Sequence, residues 1–405
     1  MRGENVQWAR TITLFACGLF CHPLLVVAQA PVPPSSHVVL LVDENTSYDT
    51  AVAEMPYLVS LGFANGHAGN YSSDTTGSLM DYLWLASGSC ESSANCALPA
   101  GTHDFGCNGN SCAEPVTDDN IFREMNNRGI SWKVYAQSYA AAGGTVTTPD
   151  RANGTHYYRR HNGATWYSDI LDNVDDSQSR IVDFSHFATD LANNELQRFA
   201  IIVPDGINDG HDSNPGVADS FLQATLPSLL AKPYFQPGGD GLLIITFDNA
   251  DGDEEGHIDT LVVGPNVTPN TVSETPYKHQ NALRTMLDAL GITAHPGASA
   301  GVTGLTDFFS GYVTVTSPAQ NAVTGTDVLV NASATESKAK IDQLQVWDKT
   351  TGKKLGQSAS GTSTIKQTFS LAPGKHTLVV EDISADNYEV LHKAVVSIAV
   401  SADAR

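Results

Sequence analysis

The sequence predicts an α/β sandwich with a mostly parallel central sheet, followed by a smaller all-β sandwich, in a chain of 405 residues. Three observations support this prediction. Short apolar runs alternate with helical patterns along much of the chain, alternating apolar and polar residues replace that pattern after about Gly311, and carboxylates follow several apolar runs directly. A chain of this length can form two domains, each with its own core.

Short apolar runs rich in β-branched residues are predicted to be buried strands. Turn-forming or acidic residues bound each run, and its length suits a strand better than a helix. The runs are HVVLLVDEN (37–45), FAIIVPD (199–205), GLLIITFDN (241–249) and DTLVVGP (259–265).

Helical periodicity occupies the stretches between and after these runs. Strands that alternate with helices favour a parallel sheet covered on both faces. The helical patterns are NIFREMNNRG (120–129), SFLQATLPSLLA (220–231) and HQNALRTMLDALG (279–291).

The segment 311–405 is predicted to be a separate antiparallel sandwich. Short strands such as IDQLQVWD and HTLVVED follow one another with turn residues between them and without a helical stretch. The segment resembles the bacterial immunoglobulin-like domains appended to secreted proteins. It carries no cluster of histidines, cysteines or carboxylates, so we expect a spacer or a contact with the cell surface or a polymer.

The first 30 residues are predicted to be an export signal. Arg2 and Arg10 are followed by the apolar stretch TITLFACGLFCHPLLVVA and by the small-x-small pattern Ala-Gln-Ala at 28–30. Residues 31–36 would then be a linker and 37–310 the catalytic domain. We therefore expect a secreted or periplasmic protein with no stable membrane insertion.

The cysteines that follow this signal are predicted to form two disulfides, because an even and local set is typical of an oxidising compartment. Three pairings are open. Cys90 with Cys96 and Cys107 with Cys112 is favoured because each bond would close a short loop.

The chain is strongly acidic, with 44 Asp and Glu against 22 Lys and Arg, a net charge of −22 and a pI near 4.7. Such a surface repels nucleic acid and anionic membranes, so neither is expected as a partner. An anionic substrate would need a local positive charge, most simply a metal ion.

Polar residues collect where the predicted strands end. The carboxyl ends of parallel strands lie along one edge of a sheet, which is where ligands bind in such folds. The residues are Asp43, Glu44, Asn45, Asp205, Asp209, His211, Asp212, Asp248 and Asn249.

Ser78 stands at the head of the apolar helical pattern SLMDYLWLASGS (78–89). A serine in that position is typical of a helix N-cap. The same position places a hydroxyl beside the amides of a helix N-terminus, which suit a phosphate. The stretch alone leaves a cap, a nucleophile or both open.

Several motifs in a fixed order resemble the phosphoesterase family, which contains bacterial and fungal acid phosphatases and phospholipases C. The resemblance covers about 37–300 and implies an alkaline-phosphatase-like α/β sandwich. The motifs are VDENTSYD (42–49), SLMDYLWLASGS (78–89), GISWKVYAQS (129–138), YRRHNGATWY (158–167), VPDGINDGHD (203–212), LIITFDNADGD (243–253), HIDTLVVGP (257–265) and YKHQNALRTMLDALG (277–291).

The resemblance implies a serine nucleophile and a metal site. Ser78 falls on the family's nucleophile, and metal coordination lowers the pKa of a serine hydroxyl enough for attack on phosphorus. Zinc, manganese or calcium is expected, and histidine beside carboxylates favours borderline transition metals over magnesium. The implied ligands are Glu44, Asn45, Asp209, His211, Asp248 and His257.

Other residues are predicted to contact the substrate or to transfer protons. His161 beside Arg160 is interpreted as a phosphate clamp or general acid, because an arginine fork fits phosphate oxygens. His279 matches a family histidine that lines the site and is predicted to be catalytic. Asp81 and Asp212 are predicted, with Arg160, to bind the substrate.

The sequence departs from the family at several positions. Thr76 and Gly77 replace His-Pro, while Gln137 and Asn249 stand where the family commonly has a carboxylate. These departures leave open a catalytically degenerate binding protein. The favoured interpretation is a secreted, metal-assisted phosphomonoesterase of the acid-phosphatase type, with a phospholipase C acting on diesters as the alternative enzyme.

Overall fold

The computed structural model describes residues 32–89, 115–173, 176, 179–250, 256–336 and 339–404. Within these ranges an eight-stranded mixed sheet with helices packed against it is followed by two smaller sheets. The predicted α/β sandwich and the all-β C-terminal sandwich are both confirmed. The predicted export signal (1–30) and all four cysteines predicted to pair lie outside the described residues.

The large sheet has its strands in the order β4-β3-β5-β1-β6-β7-β2-β8. The five strands from β4 to β6 in this order are parallel, whereas β7 is antiparallel to both of its neighbours. The strands are β1 (Val38–Asp43), β2 (Gly66–Ser72), β3 (Trp132–Ala136), β4 (Ile181–Asp183), β5 (Phe199–Val203), β6 (Leu242–Phe247), β7 (His257–Val263) and β8 (Thr271–Ser273).

The centre of this sheet is apolar because helices pack against it. Every residue of β1 and of β6 is buried, which explains their continuous apolar sequences. The helices are α1 (Tyr48–Glu54), α2 (Pro56–Ala64), α3 (Ser78–Ser87), α4 (Ile121–Arg128), α5 (Tyr139–Ala142), α6 (Ser168–Leu171), α7 (Ser185–Asn193), α8 (Pro215–Leu230) and α9 (His279–Ala289).

Local capping explains where the predicted helix at 120–129 begins and ends. The Asn120 side chain accepts a hydrogen bond from Arg123 N–H, and Gly129 closes the helix in the left-handed conformation with φ 64°. Asparagine at an N-cap and glycine after the last turn are the usual residues for these positions.

The C-terminal sandwich consists of a five-stranded sheet, β10-β16-β15-β12-β13, and a three-stranded sheet, β14-β11-β9. Buried apolar residues between Val313 and Val400 form a core separate from that of residues 32–309. The strands are β9 (Gly311–Ser317), β10 (Val323–Thr324), β11 (Asp327–Glu336), β12 (Ile341–Asp348), β13 (Lys353–Gln357), β14 (Thr364–Ser370), β15 (Gly374–Ser384) and β16 (Val390–Val400).

The sandwich contacts the larger unit at the edge where β6 begins. Val395 N–H donates to the Gly238 carbonyl oxygen over 3.1 Å, and Ser310 Oγ lies 3.2 Å from His392 Nε2. Gly238 has φ +92°, and a Cβ there would lie 2.5 Å from Val395 Cγ2. This contact is therefore at the opposite edge of the sheet from the carboxyl ends of its parallel strands.

Residues 32–36, predicted as part of a linker, pack against the larger unit. Val32 is buried, Ser35 N–H donates to the Ala289 carbonyl oxygen over 2.8 Å, and Ser36 Oγ donates to Asp240 over 2.5 Å. The described helices include none with both the length and the apolar character needed to span a bilayer.

A chain ending at Ser310 should keep the kcat of the full chain, because the sandwich has its own core and contacts the sheet far from its carboxyl edge. Steady-state kinetics on both chains, with circular dichroism to verify folding, checks this expectation. A folded shorter chain with a reduced kcat would show that the sandwich helps to build the site.

The sandwich should be more stable in mild acid than in mild base, because His376 Nδ1 lies 2.9 Å from Asp348 Oδ2. Burial alone lowers the pKa of His376, but hydrogen bonds to Asp348 and the Ala372 carbonyl outweigh it and raise the pKa above 6.5. Burial also acts against ionised Asp348, whose pKa the bonds from His376 and Thr351 nevertheless lower below 3.8. The pair thus stabilises the fold most between about pH 3.8 and pH 6.5, the ordinary pKa values of the carboxyl and the imidazole. The His376 contribution is lost as the pH rises through the folded pKa of this residue.

Calorimetric unfolding at about pH 5 and about pH 8 tests this pair. The Tm difference between the wild type and His376→Gln should shrink at the higher pH, whereas exposed Lys375→Gln should show little difference at either pH. An equal His376→Gln effect at both pH values would contradict the assignment.

Candidate active site

Two backbone hydrogen bonds tie together the loops that follow β1, β5 and β6. Glu44 N–H donates to the Asp209 carbonyl oxygen over 2.8 Å, and Asp248 N–H donates to the Asp43 carbonyl oxygen over 3.0 Å. The loops therefore hold their polar side chains against one another at the carboxyl edge of the sheet. Three of the sequence-predicted ligands, Glu44, Asp209 and Asp248, meet here.

Ser78 joins this group from the start of α3. Its Oγ donates to Glu44 Oε2 over 3.0 Å. The N-cap of α3 is Gly77, with extended backbone at φ −127°, and Ser78 is the first helical residue. Of the alternatives left open for Ser78, the N-cap is therefore wrong, and its hydroxyl faces a buried carboxylate at the positive end of a helix.

Asn45 fixes two of the carboxylates. It adopts the left-handed conformation with φ 47°, which asparagine tolerates better than most residues. Its backbone N–H donates to Asp248 Oδ1 over 2.8 Å, and its Nδ2 donates to Glu44 Oε2 over 3.0 Å. Asn45 thus holds Glu44 and Asp248 in place through donors, while its side-chain oxygen remains an acceptor.

His161 is fully buried between Glu44 and Asp209. Its Nδ1 lies 2.8 Å from Asp209 Oδ2, and its Nε2 lies 3.3 Å from Glu44 Oε1. Burial lowers the pKa of His161 well below 6.5, and the nearby Arg160 lowers it further. The neutral ring donates Nδ1–H to Asp209 and directs an Nε2 lone pair at Glu44, which suits a metal ligand better than the predicted general acid.

His211 forms the outer side of the site. Its Nδ1 lies 3.0 Å from Asp212 Oδ1, and Arg160 Nη2 donates to its Nε2 over 3.0 Å. Arg160 also bonds Asp150 through Nη1 at 2.6 Å. His211 must exchange one of its two contacts before it can bind a metal.

Asp212 contacts side chains that surround the site. It accepts hydrogen bonds from Tyr158 Oη over 2.9 Å and from His156 over 2.5 Å, in addition to His211. These bonds hold its pKa near 2 although burial opposes them. Its described contacts support a role in orienting His211.

The carboxyls at this edge are costly to ionise together. Burial raises the pKa values of Asp43, Glu44, Asp209 and Asp248, and neighbouring carboxylates raise those of the first three further. Two like charges about 4 Å apart repel by about 4 kcal/mol at an effective dielectric of 20. The cluster therefore needs bound protons or a cation at neutral pH.

The donor atoms of the cluster fit a metal ion. Glu44 Oε1 and His161 Nε2 are buried without a hydrogen-bond partner and face each other. Ligand atoms of Glu44, His161 and His211 lie within 4.8 Å of one another. Carboxylate and imidazole donors suit zinc or manganese, and a metal would satisfy the two unpartnered atoms.

Asp81 and His279 are placed as supports. Asp81 is fully buried and accepts hydrogen bonds from Asp74 N–H, Thr75 N–H and Thr75 Oγ1, so its described contacts give no support to the predicted role in substrate binding. His279 Nε2 bonds the Asp248 carbonyl oxygen at 2.7 Å, and burial lowers its pKa to about 4. Its other nitrogen lies 3.2 Å from Tyr71 Oη. Because both nitrogens of His279 are engaged, the structure supports a role in positioning the Asp248 loop instead of the predicted catalytic role.

His257 does not join the carboxylate cluster. It is the first residue of β7, its Nε2 bonds the Gly69 carbonyl oxygen at 3.0 Å, and its ring stacks on Tyr48 at 4.4 Å. Its described contacts are thus with α1 and with β2, which lies beyond β7 in the sheet. The structure gives no support to its predicted role as a metal ligand.

Two tyrosines of the site were not identified from the sequence. Tyr82 hydrogen-bonds Glu44 and stacks on His161, with ring centroids 5.8 Å apart. Tyr158 also stacks on His161, with ring centroids 4.7 Å apart, and Gly206 permits its approach, because a Cβ there would lie 2.4 Å from the Tyr158 ring. Both tyrosines stand within motifs quoted above, but a tyrosine in an apolar pattern is ordinarily a core residue.

Family models match most of the chain. The model of the "Phosphoesterase family" matches residues 67–293, and that of a "Bacterial Ig domain" matches residues 312–380. The phosphatidylinositol-3-phosphatase of Mycobacterium tuberculosis is 26% identical over 285 residues, which cover 69% of this chain and 85% of that protein.

Fungal proteins are similar over shorter stretches. The probable acid phosphatase of Kluyveromyces lactis is 29% identical over 175 residues, 42% of this chain and 41% of that protein. The acid phosphatase of Aspergillus niger is 26% identical over 259 residues, 62% of this chain and 57% of that protein. The chain thus spans about half the length of these two fungal relatives.

The solved structure of a Vibrio parahaemolyticus protein in the alkaline phosphatase superfamily is similar over 90% of this chain and 84% of that protein's chain. The identity is 11% and the TM-score is 0.44. The phosphonate monoester hydrolase of Silicibacter pomeroyi covers 83% and 89%, with 12% identity and the same TM-score of 0.44.

Asp209→Asn should weaken zinc binding about 10- to 100-fold, because Asp209 orients the His161 ring and keeps its Nε2 lone pair directed at Glu44. Competition with a chelator of known affinity measures the change. Asp212→Asn is the matched control, since it removes the same charge but contacts His211. A larger loss in Asp212→Asn than in Asp209→Asn would identify His211 as the stronger ligand and contradict the role given to His161.

Proposed function

We propose that this chain cleaves phosphate monoesters through a phosphoserine on Ser78. The premise is that the chain belongs to the phosphoesterase family and is a hydrolase of phosphoric esters. The observation that carries the proposal is the hydrogen bond from Ser78 Oγ to the buried Glu44 at the N-terminus of α3. A nucleophile, an acceptor for its proton and a partial positive charge for the phosphoryl group are thus adjacent.

Glu44 and His161 would hold a divalent metal ion, with Asn45, Asp248 and His211 close by. When bound, such an ion lowers the pKa of a serine hydroxyl and neutralises charge on the phosphoryl oxygens. Asp209 keeps the His161 ring oriented through its Nδ1–H. His279 holds the Asp248 loop through its carbonyl oxygen.

The reaction on these residues has two halves. In the first, Ser78 Oγ bonds to phosphorus as the ester oxygen leaves, and the Ser78 proton passes to Glu44, which already accepts its hydrogen bond. In the second, water bonds to phosphorus, the Ser78 Oγ–phosphorus bond breaks, and Ser78 regains its proton from Glu44. The proton that this water releases to solvent balances the one that the leaving alcohol takes up from solvent. Arg160 at the outer side of the site supplies a positive charge in direct contact with His211.

Cleavage of monoesters is supported by the names of similar proteins. The mycobacterial and fungal relatives are all named as phosphatases, which remove a terminal phosphate. Export is a further part of the proposal and is supported by the signal pattern of residues 1–30. The strongly acidic surface of the chain disfavours nucleic acid as a substrate.

Ser78→Ala should abolish turnover of 4-nitrophenyl phosphate while costing only about 1 kcal/mol of stability, the contribution of one buried hydrogen bond. Acid-quenched wild-type protein should carry a phosphate on Ser78 by mass spectrometry. Ser87→Ala is the matched control, because Ser87 is a buried serine of the same helix that bonds the Leu83 carbonyl oxygen. Turnover by a folded Ser78→Ala variant would exclude the nucleophile role, and faster turnover of bis(4-nitrophenyl) phosphate by the wild type would favour a diesterase.

A further inference from the structure

One wall of the site is formed by the segment 150–161, and Tyr158 is its central ring. The Tyr158 ring lies 4.7 Å from both the His161 and the His211 rings. On the same ring, the Arg160 guanidinium lies 4.3 Å and the Arg151 guanidinium 5.9 Å from the centroid. One aromatic ring therefore separates Arg151 from the two histidines of the site.

Arg151 differs from the other arginines in the parts of the chain that the structure describes. Its side chain is exposed, and its guanidinium makes no hydrogen bond or ion pair there, only the contact with Tyr158. Each of the others donates at least one hydrogen bond, namely Arg123, Arg128, Arg159, Arg160, Arg180, Arg198 and Arg284.

The backbone around Arg151 is held in a fixed conformation. Arg151 has φ 53°, in the left-handed region that a long side chain seldom adopts. Its N–H donates to the Tyr157 carbonyl oxygen, and the adjacent Asp150 bonds Arg160. Asn153 Nδ2 donates to the carbonyl oxygens of Ala141 and Ala142. These contacts fix the backbone position from which the Arg151 side chain reaches the Tyr158 ring.

Arg151 also carries a positive charge that nearby carboxylates do not compensate. Asp150 is engaged by Arg160, while Asp212 is engaged by Tyr158, His156 and His211. In a chain with a net charge of −22, this guanidinium is thus a local positive charge that can attract an anion to the outer side of the Tyr158 ring.

We propose that Arg151 determines substrate specificity by binding a second anionic group, a phosphate or carboxylate, on the alcohol part of the phosphate ester. This inference rests on the proposed function, because it names the residue that binds the alcohol part of the ester at the same site. The planar guanidinium fork matches both kinds of oxyanion through paired hydrogen bonds.

The test compares kcat/KM for phenyl phosphate with that for 4-carboxyphenyl phosphate and for fructose 1,6-bisphosphate. The wild type should prefer the two esters with the additional anionic group. Arg151→Gln should lower that preference about tenfold, chiefly through KM, because a charge-assisted contact is lost. Arg151→Lys should retain part of the preference, since it keeps the charge but loses the fork.

Arg180→Gln is the matched control, because it removes the same charge from an arginine that stacks on Trp132 at the opposite edge of the sheet. It should leave the preference as in the wild type. The wild-type preference should also weaken as ionic strength rises, since the contact is exposed to solvent.

The outcomes separate this inference from the proposed function. Wild-type protein that hydrolyses phenyl phosphate but shows no preference for the charged esters would overturn the role of Arg151 and leave the phosphomonoesterase intact. An equal loss on all three esters in Arg151→Gln would also overturn it, because the residue would then act on the loop and not on the second anion. A wild type inactive on every ester would overturn the proposed function itself.

Discussion

Buried negative charge at one edge of the sheet is the constraint on which the arrangement of this site depends. Parallel strands end together, so the almost fully buried side chains of Asp43, Glu44, Asp209 and Asp248 are brought close to one another. Like charges in such a region repel by several kcal/mol per pair. The cluster can persist ionised only if a cation or protons compensate it, and the unpartnered Glu44 Oε1 and His161 Nε2 mark where a cation would bind.

Much of the surrounding structure keeps these groups in place. Asn45 donates to two carboxylates from a left-handed backbone, Asp209 orients His161, and His279 bonds the Asp248 carbonyl oxygen. Such supports fix the geometry of a metal site as firmly as the ligands do. These supports also give the histidines different roles. The hydrogen bond at one ring nitrogen decides whether the other nitrogen donates a proton, accepts one or can bind a metal.

The two ends of the parallel strands serve different purposes. The carboxyl edge carries the nucleophile candidate, the carboxylates and the wall that contains Tyr158 and Arg151. The opposite edge carries the contact between Gly238 and the C-terminal sandwich. Each unit has a separate apolar core, and the core of the sandwich includes none of the residues placed at the site.

The sequence by itself determined the fold class and the edge at which the site lies. Strand and helix periodicity depends on which residues are buried, so the sequence was enough to predict β1, β5, β6 and the helices at 120–129 and 279–291. The grouping of Glu44, Asp209 and Asp248 could be predicted because each of them follows a parallel strand. The short strand β2, GHAGNYS, lacks that periodicity and was not predicted. Only the tertiary structure decided which predicted residues have free ligand atoms, because that depends on partners distant in the chain. Asp81 is occupied by the turn at Asp74 and Thr75, and His257 is directed at Gly69, whereas His161 is set between Glu44 and Asp209 by a contact spanning 48 residues of sequence.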